Sequence, residues 1–162
     1  MNDAAKGFEL VERGHAMVVE GMRLCLSPTD EVADDATDDD LAERLAPLVR
    51  STNQMLILAA FHSYADDPRK RDALGRICIS TSDIQRAVDR IAAANGKTAP
   101  HGKSLGGALT GFTQGKFLKM LGILKCGHWL HKAGGESDRL WHMERRWLPA
   151  IEAVARDAGF AL

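Results

Sequence analysis

The sequence lacks the features that mark membrane proteins, secreted proteins and disulfide-rich proteins. No stretch of it approaches the ~18 to 20 uninterrupted apolar residues that a membrane-spanning helix requires. Its first five residues, MNDAA, do not begin a basic and then apolar signal peptide. Its three cysteines, Cys25, Cys78 and Cys126, are far apart and odd in number, which argues against a disulfide framework. We therefore expect a cytoplasmic protein, not bound to a membrane, with reduced and mostly buried thiols.

The sequence also lacks recognisable catalytic motifs. It contains no nucleophile elbow, no P-loop and no pair of carboxylates at a catalytic spacing. The aspartates clustered at positions 34–40 have no histidine or lysine beside them. The sequence thus predicts a binding protein that is not an enzyme, and nothing in it predicts a bound cofactor.

A zinc site is one alternative that the residue types allow. Cys126, His128, His131 and His142 are side chains that zinc accepts as ligands, and a hairpin would bring their two segments together. However, strand alternation places Cys126 and His128 on the face opposite His131. We therefore predict no metal.

The charged residues are divided unevenly along the chain, although the net charge is only −1. Residues 1–68 carry five basic and fourteen acidic side chains, whereas residues 69–147 carry fifteen basic and six acidic ones. The division predicts an acidic helical region (1–68) that dimerises or binds a partner protein. It also predicts a basic domain (69–147) that faces a polyanion, and a carboxy-terminal helix (148–162) that packs back on the amino-terminal helices.

Helical periodicity dominates the acidic region. We predict a helix over about 3–26, an acidic linker over 29–40, and a second helix that begins near Asp38 with Thr37 as its N-cap. Residues 55–61 (MLILAAF) are apolar on every side of a helix, so they must be buried. Two interpretations are open: they lie in the core of this chain, or they pack against a second copy in a homodimer.

The basic domain alternates between strand and helix patterns. A short strand (77–79) precedes a helix that Ser80, Thr81 or Ser82 caps and that Asn95-Gly96 ends. A second short helix begins at Ser104, and Gly111-Phe112-Thr113 is predicted as a turn. The remaining predicted elements are a third helix (114–121), strands over 123–131 and 139–143, and the hairpin turn over 132–138 that joins the strands.

This order of a strand, three helices and a hairpin resembles the winged helix-turn-helix superfamily of DNA-binding proteins, as does the junction Leu121-Gly122-Ile123. A second similarity, through Ser104-Leu105-Gly106 and Arg139-Leu140-Trp141, is to the winged-helix modules of phage and plasmid replication proteins. The resemblance implies a mostly α (α+β) fold with a two-stranded wing. An amino-terminal helical extension would precede this module, and a carboxy-terminal helix would close it.

The resemblance also implies how DNA is bound. The third helix would enter the major groove, where Gln114 contacts adenine, and the wing would lie on the phosphates. The predicted DNA-binding residues are Lys103, Gln114, Lys116, Lys119, Lys125, Lys132 and Arg139.

We therefore expect a duplex DNA-binding transcriptional regulator. The alternatives are an adaptor whose acidic half mimics DNA or covers the basic face, and a replication or mobile-element accessory factor. Trp129, Trp141 and Trp147 also admit stacking on single strands, although Trp129 and Trp141 are expected to pair across the hairpin or cover the core.

Overall fold

The computed structural model describes residues 35–115, 118–135 and 137–162, so the predicted helix over 3–26 lies outside the described residues. The fold is α+β, with helices packed around a three-stranded antiparallel sheet. The helices are α1 (Asp38–Leu45), α2 (Thr52–Ser63), α3 (Thr81–Ala94), α4 (Lys103–Gln114), α5 (Leu118–Leu121) and α6 (Leu148–Asp157). The strands are β1 (Ile77–Ser80), β2 (Leu124–His131) and β3 (Ser137–Met143).

The first three helices begin at side chains that cap them. Thr37, Ser51 and Ser80 each accept a hydrogen bond from the backbone N–H three residues later, and the side chain at that later position accepts one in return. This reciprocal arrangement satisfies two backbone donors that the first turn of a helix leaves free. The predicted cap at Thr37 is confirmed, and of the three candidates for α3 it is Ser80 that caps the helix.

Helix α2 lies at the centre of the hydrophobic core. Residues 55–61 are at most 4% exposed, and α2 packs against α3, α4 and α6. The apolar segment is thus buried by this chain itself, and a second copy is not needed to cover it. One core cluster includes Leu41 of α1, Ile84 of α3 and Ile151 of α6, so the described residues on both sides of the predicted boundary at position 68 share it.

Helix α6 packs against α1. Ala150, Ile151, Val154 and Ala155 form its buried face. It stays a prediction that the acidic region dimerises or binds a partner protein and that the basic domain faces a polyanion.

The hairpin forms part of a larger sheet. Strand β3 lies in the middle, with β2 on one side and β1 on the other. Ile77 is opposite Met143 and Ile79 is opposite Trp141, and both isoleucines are fully buried. The hairpin strands therefore belong to a three-stranded sheet, in which β1 buries its isoleucines by pairing along the edge of β3 that β2 leaves free. The two-stranded wing of a winged helix stays a prediction.

The helix that precedes the hairpin differs from the prediction. Helix α4 continues through Gly111-Phe112-Thr113, which was predicted as a turn, and ends at Gln114. Leu105, Leu109 and Phe112 are spaced by four and three residues, and this continuous buried face holds the glycine-rich segment in a helix. The predicted third helix over 114–121 is wrong: of its described residues, Gln114 ends α4, Gly115 is extended, and Leu118–Leu121 form the single turn α5.

Helix α4 ends where only glycine fits. A Cβ atom added to Gly115 would overlap the carbonyl oxygen of Gly111, which accepts the Gly115 N–H at 3.0 Å. The backbone at Gly115 then turns to an extended conformation.

Candidate nucleic-acid interface

The residues predicted to bind DNA lie on α4, on α5 and on the hairpin. Lys116 lies outside the described residues. The others are Lys103 and Gln114 at the two ends of α4, Lys119 in α5, Lys125 on β2, Lys132 directly after β2, and Arg139 on β3.

Helix α4 presents a narrow polar face to solvent. Lys103, Gly107, Thr110 and Gln114 are all exposed and are spaced by four, three and four residues, so they follow one side of the helix. This α4 stripe is about 16 Å long at 1.5 Å per residue. Lys103 and Gln114 therefore share a face of the helix, although they are too far apart to contact the same group.

The outer strand of the hairpin is open to solvent. After Leu124, every residue of β2 is exposed except Gly127, which is half-buried. Trp129 is 52% exposed and its neighbour Leu130 is also exposed. Cys126 is exposed as well, which corrects the expectation of mostly buried thiols, because β2 is an edge strand with one neighbour only.

Arg139 lies between two tryptophans. It is directly opposite Trp129 in the hairpin, and its guanidinium carbon is 5.2 Å from the Trp129 ring and 5.8 Å from the Trp141 ring. Its Nε is buried and has no hydrogen-bond partner among the described residues. Such cation–π contacts hold both partners in place. The prediction that Trp129 and Trp141 pair with each other across the hairpin is therefore wrong, because Arg139 lies opposite Trp129.

Trp141 covers the core, which confirms the alternative prediction for this residue. The Trp141 side chain is buried, and its indole N–H donates a 2.9 Å hydrogen bond to the Thr81 hydroxyl oxygen. The Thr81 hydroxyl in turn donates to the carbonyl oxygen of Arg139 at 3.3 Å. Thr81 is the first residue of α3, so these bonds tie the central strand to the start of that helix.

A buried carboxylate makes a second link between the hairpin and α3. Asp138 Oδ2 accepts hydrogen bonds from the Ser82 hydroxyl and from the Ser82 N–H at 3.2 Å, and the Lys132 ammonium lies 3.3 Å away. Burial alone would raise the pKa of Asp138, but these hydrogen bonds and one from the Arg139 N–H outweigh it and lower the pKa to about 2. Asp138 was not among the residues predicted to be functional; its only signal in the sequence is that it is a lone aspartate beside the turn of a basic hairpin.

The basic side chains differ in how far acidic neighbours neutralise them. Lys125 lies 3.8 Å from Glu144, and Lys132 is paired with Asp138. Lys103 and Lys119 are exposed and form no ion pair with any described residue. These two lysines are therefore the most available cations on α4 and α5.

The histidines and cysteines of the sheet do not assemble into a metal site. Within the described ranges, no three His, Cys, Asp or Glu side chains are placed to hold a metal ion. His142 is instead largely buried, with its Nδ1 3.2 Å from Asp72 Oδ2. Burial and the nearby Arg76 lower the pKa of His142 and outweigh the opposing effect of Asp72.

None of the described helices is long and apolar enough to cross a membrane.

Comparison with known proteins does not assign the chain to a family. No protein-family model, no curated protein and no solved structure matches this chain.

Proposed function

We propose that this protein is a winged-helix protein that binds duplex DNA, with α4 in the major groove and the β2–β3 hairpin on the sugar-phosphate backbone. The chain order β1, α3, α4, α5, β2, β3 and the sheet order β1-β3-β2 support the proposal. Among the described elements, three helices lie between the first strand and the hairpin, and the middle one, α4, has an exposed polar face. An exposed helix of this kind is what enters the major groove in helix-turn-helix proteins.

The observation that carries the proposal is that the helix with the α4 stripe packs against the open strand of the hairpin. Helix α4 contacts β2, so the helix that carries the polar face and the strand that carries the exposed residues are neighbours in the fold. Together with α5, they provide two lysines, Lys103 and Lys119, that form no ion pair with a described residue and are available for phosphates, and an amide side chain for a base edge.

Each residue of this surface has a proposed role. Gln114 at the end of α4 contacts adenine through its side-chain amide. The amide has both a donor and an acceptor, so it can form paired hydrogen bonds with adenine N7 and N6. Lys103 and Lys119 contact phosphates, and the absence of a side chain at Gly107 lets the helix approach the bases closely. Lys125 and Lys132 exchange their carboxylate partners for phosphates. Arg139 acts mainly through Trp129, because its guanidinium already lies against that ring.

We assign transcriptional regulation as the role of this DNA binding. A replication or mobile-element accessory factor would use the same chemistry, and selection of binding sites from random duplexes separates the two roles. One defined operator sequence supports the regulator, whereas binding without sequence preference supports the accessory factor.

A second function is supported by the exposed acidic face of α1. Asp38, Asp39, Asp40 and Glu43 are all exposed on this helix. They provide a negative surface that could dock a basic partner protein or cover the basic hairpin. Dimerisation through the amino-terminal helices stays a prediction, and α2 does not supply its surface because α2 is buried.

Fluorescence anisotropy with a labelled random duplex tests the DNA-binding proposal. We expect the protein to bind at about 50 mM salt and to lose roughly 100-fold in affinity at about 200 mM, as release of counterions from about four phosphates requires. Absence of binding at the lower salt concentration would overturn the proposal.

A further inference from the structure

A cationic pocket lies at the end of the sheet that is remote from the hairpin turn. It has a volume of about 540 Å³, and the side chains that line it include Leu74, Arg76, Lys125, Glu144, Arg145 and Arg146. The strands reach this end at Ile77, Leu124 and Met143, which are opposite one another in the register. The hairpin turn begins after His131, which is six residues and therefore about 20 Å further along β2 than Lys125.

Positive charge exceeds negative charge around this pocket. Four cationic side chains line it, with Glu144 as the single carboxylate among the lining residues. Glu144 is shared between Arg146, whose Nε is 2.9 Å away, and Lys125 at 3.8 Å. Arg76 is paired with Asp72 at 2.7 Å. With Asp72 included, these described residues carry four positive and two negative charges.

The charge of Arg145 is the one that no described carboxylate compensates. Its guanidinium donates to the carbonyl oxygen of Ala65 at 2.7 Å, and the guanidinium of Arg71 donates to the same oxygen at 3.1 Å. Two positive groups therefore share one neutral acceptor. An anion in the pocket would relieve their repulsion, since nearby like charges disfavour each other.

The guanidinium groups of Arg76 and Arg145 are held in position by single partners. Arg76 is fixed by Asp72, which itself accepts the backbone N–H groups of Leu74 and Arg76. Arg145 is fixed by Ala65. A guanidinium has five N–H donors, so each of these side chains can still present a pair of them to a phosphate.

The rim of the pocket adds an apolar surface. Leu74 is 77% exposed, more than any other large apolar side chain among the described residues. It lies next to Gly75 in the turn before β1. A ligand that matches this site carries several negative charges and an apolar part. The pocket volume falls in the range of about 300 to 1,000 Å³ that is typical of small-molecule sites.

We propose that this pocket binds a phosphorylated small molecule of the nucleotide class, with its phosphates on Arg76, Arg145 and Arg146 and its base against Leu74. The proposal does not depend on DNA binding, although Lys125 belongs to both surfaces. It predicts a second ligand for the protein, whose binding is separable from that of a duplex.

Isothermal titration calorimetry with ATP and with pyrophosphate, both free of Mg²⁺, tests the proposal. Arg145→Ala should weaken the binding of both ligands at least tenfold. Arg69→Ala is the matched control, because Arg69 is exposed, pairs with Asp67 and does not line the pocket. We expect this control to leave both affinities unchanged.

Two further variants separate the roles of charge and apolar contact. Glu144→Gln removes the carboxylate that occupies Lys125 and Arg146, so it should tighten the binding of both ligands by about threefold or more; a misfolded variant would not gain affinity. Leu74→Ser should weaken the binding of ATP and leave that of pyrophosphate unchanged, because only ATP carries a base.

The proposal is overturned if the wild-type protein binds neither ATP nor pyrophosphate, or if Glu144→Gln weakens their binding. A labelled duplex provides the last arm of the experiment. If Arg145→Ala weakens duplex binding and leaves ATP binding unchanged, the pocket holds a backbone phosphate of DNA, and the nucleotide assignment is wrong.

Discussion

The guanidinium of Arg139 lies 5.2 Å from the centre of the Trp129 ring, directly opposite it across the hairpin. This contact orders a large aromatic side chain that is half exposed on an edge strand. It also engages a cation that the sequence alone assigned to phosphate binding. Two predictions separate these roles.

The first prediction concerns stability. Arg139→Ala removes contacts with two tryptophan rings, and we expect the free energy of unfolding to fall by about 1 kcal/mol, given the ~0.5 to 1 kcal/mol typical of exposed cation–π pairs. Denaturant unfolding followed by circular dichroism measures this change. Arg90→Ala, at an exposed position on α3, is the control and should remain within about 0.5 kcal/mol of the wild type. Equal stabilities of the two variants would show that the stacking contributes nothing.

The second prediction concerns DNA affinity. A lysine that contacts phosphate contributes about one unit to the slope of log Kobs against log salt concentration. Because the Arg139 guanidinium lies against Trp129 and Trp141, Arg139→Ala should reduce this slope by clearly less than one unit. A loss equal to that of Lys119→Ala would contradict this role and support direct phosphate contact.

The third prediction is a pH dependence that arises from Asp138. The pKa of this carboxyl is about 2 in the folded protein, against an ordinary value of 3.8. A lowered folded-state pKa gives stability that is present above the unfolded value and is lost as the pH falls through the folded one. Between about pH 5 and pH 2, we expect the wild type to lose about 2 kcal/mol more than Asp138→Asn, whose side chain does not titrate.

Urea unfolding of both proteins across this pH range measures the difference. Other carboxyl groups titrate in both proteins, so their contribution cancels in the comparison. Parallel stability curves would mean that the hydrogen bonds from Ser82 do not favour the charged form of Asp138.

The fourth prediction contrasts two glycines of the α4 segment. Gly115→Ala should destabilise the protein by about 1 to 3 kcal/mol, because its Cβ would overlap the Gly111 carbonyl. Gly107→Ala should raise stability by about 0.5 to 1 kcal/mol, since Gly107 lies in the helix with no atom within reach of an added Cβ. Thermal denaturation measures both changes, and shifts of the same sign would contradict the described end of α4.

Local patterns in the sequence predicted much of this fold. The caps at Thr37 and Ser80, the hairpin strands and helix α6 each depend on residues close together in the chain, so periodicity and capping rules identify them. Helix α4 was harder to predict, because Gly111 weakens a helix locally. The burial of Phe112 in the core favours the helical conformation here, and rules based on neighbouring residues in the chain do not include this contribution.

The candidate site shows the same limit. The sequence predicted that Lys125 and Arg139 lie on the hairpin strands. It did not predict that Lys103 and Gln114 lie at the two ends of one helix, or that Lys125 and Lys132 form ion pairs. Glu144 is 19 residues from Lys125 in the chain, and the bond between Ser82 and Asp138 spans 56 residues. Such pairs follow from the register of β2 with β3 and from the packing of α3 on the sheet.

The most direct test of the central proposal compares two double variants by anisotropy with a labelled duplex over a range of salt concentrations. Lys103→Ala/Lys119→Ala removes from α4 and α5 two cations that form no ion pair with a described residue. Arg44→Ala/Arg156→Ala removes two exposed cations from α1 and α6. We predict that the first variant lowers the salt slope by about two units and that the second leaves it unchanged. Equal slopes in the two variants would contradict the proposal that α4 and the hairpin form a DNA-binding surface.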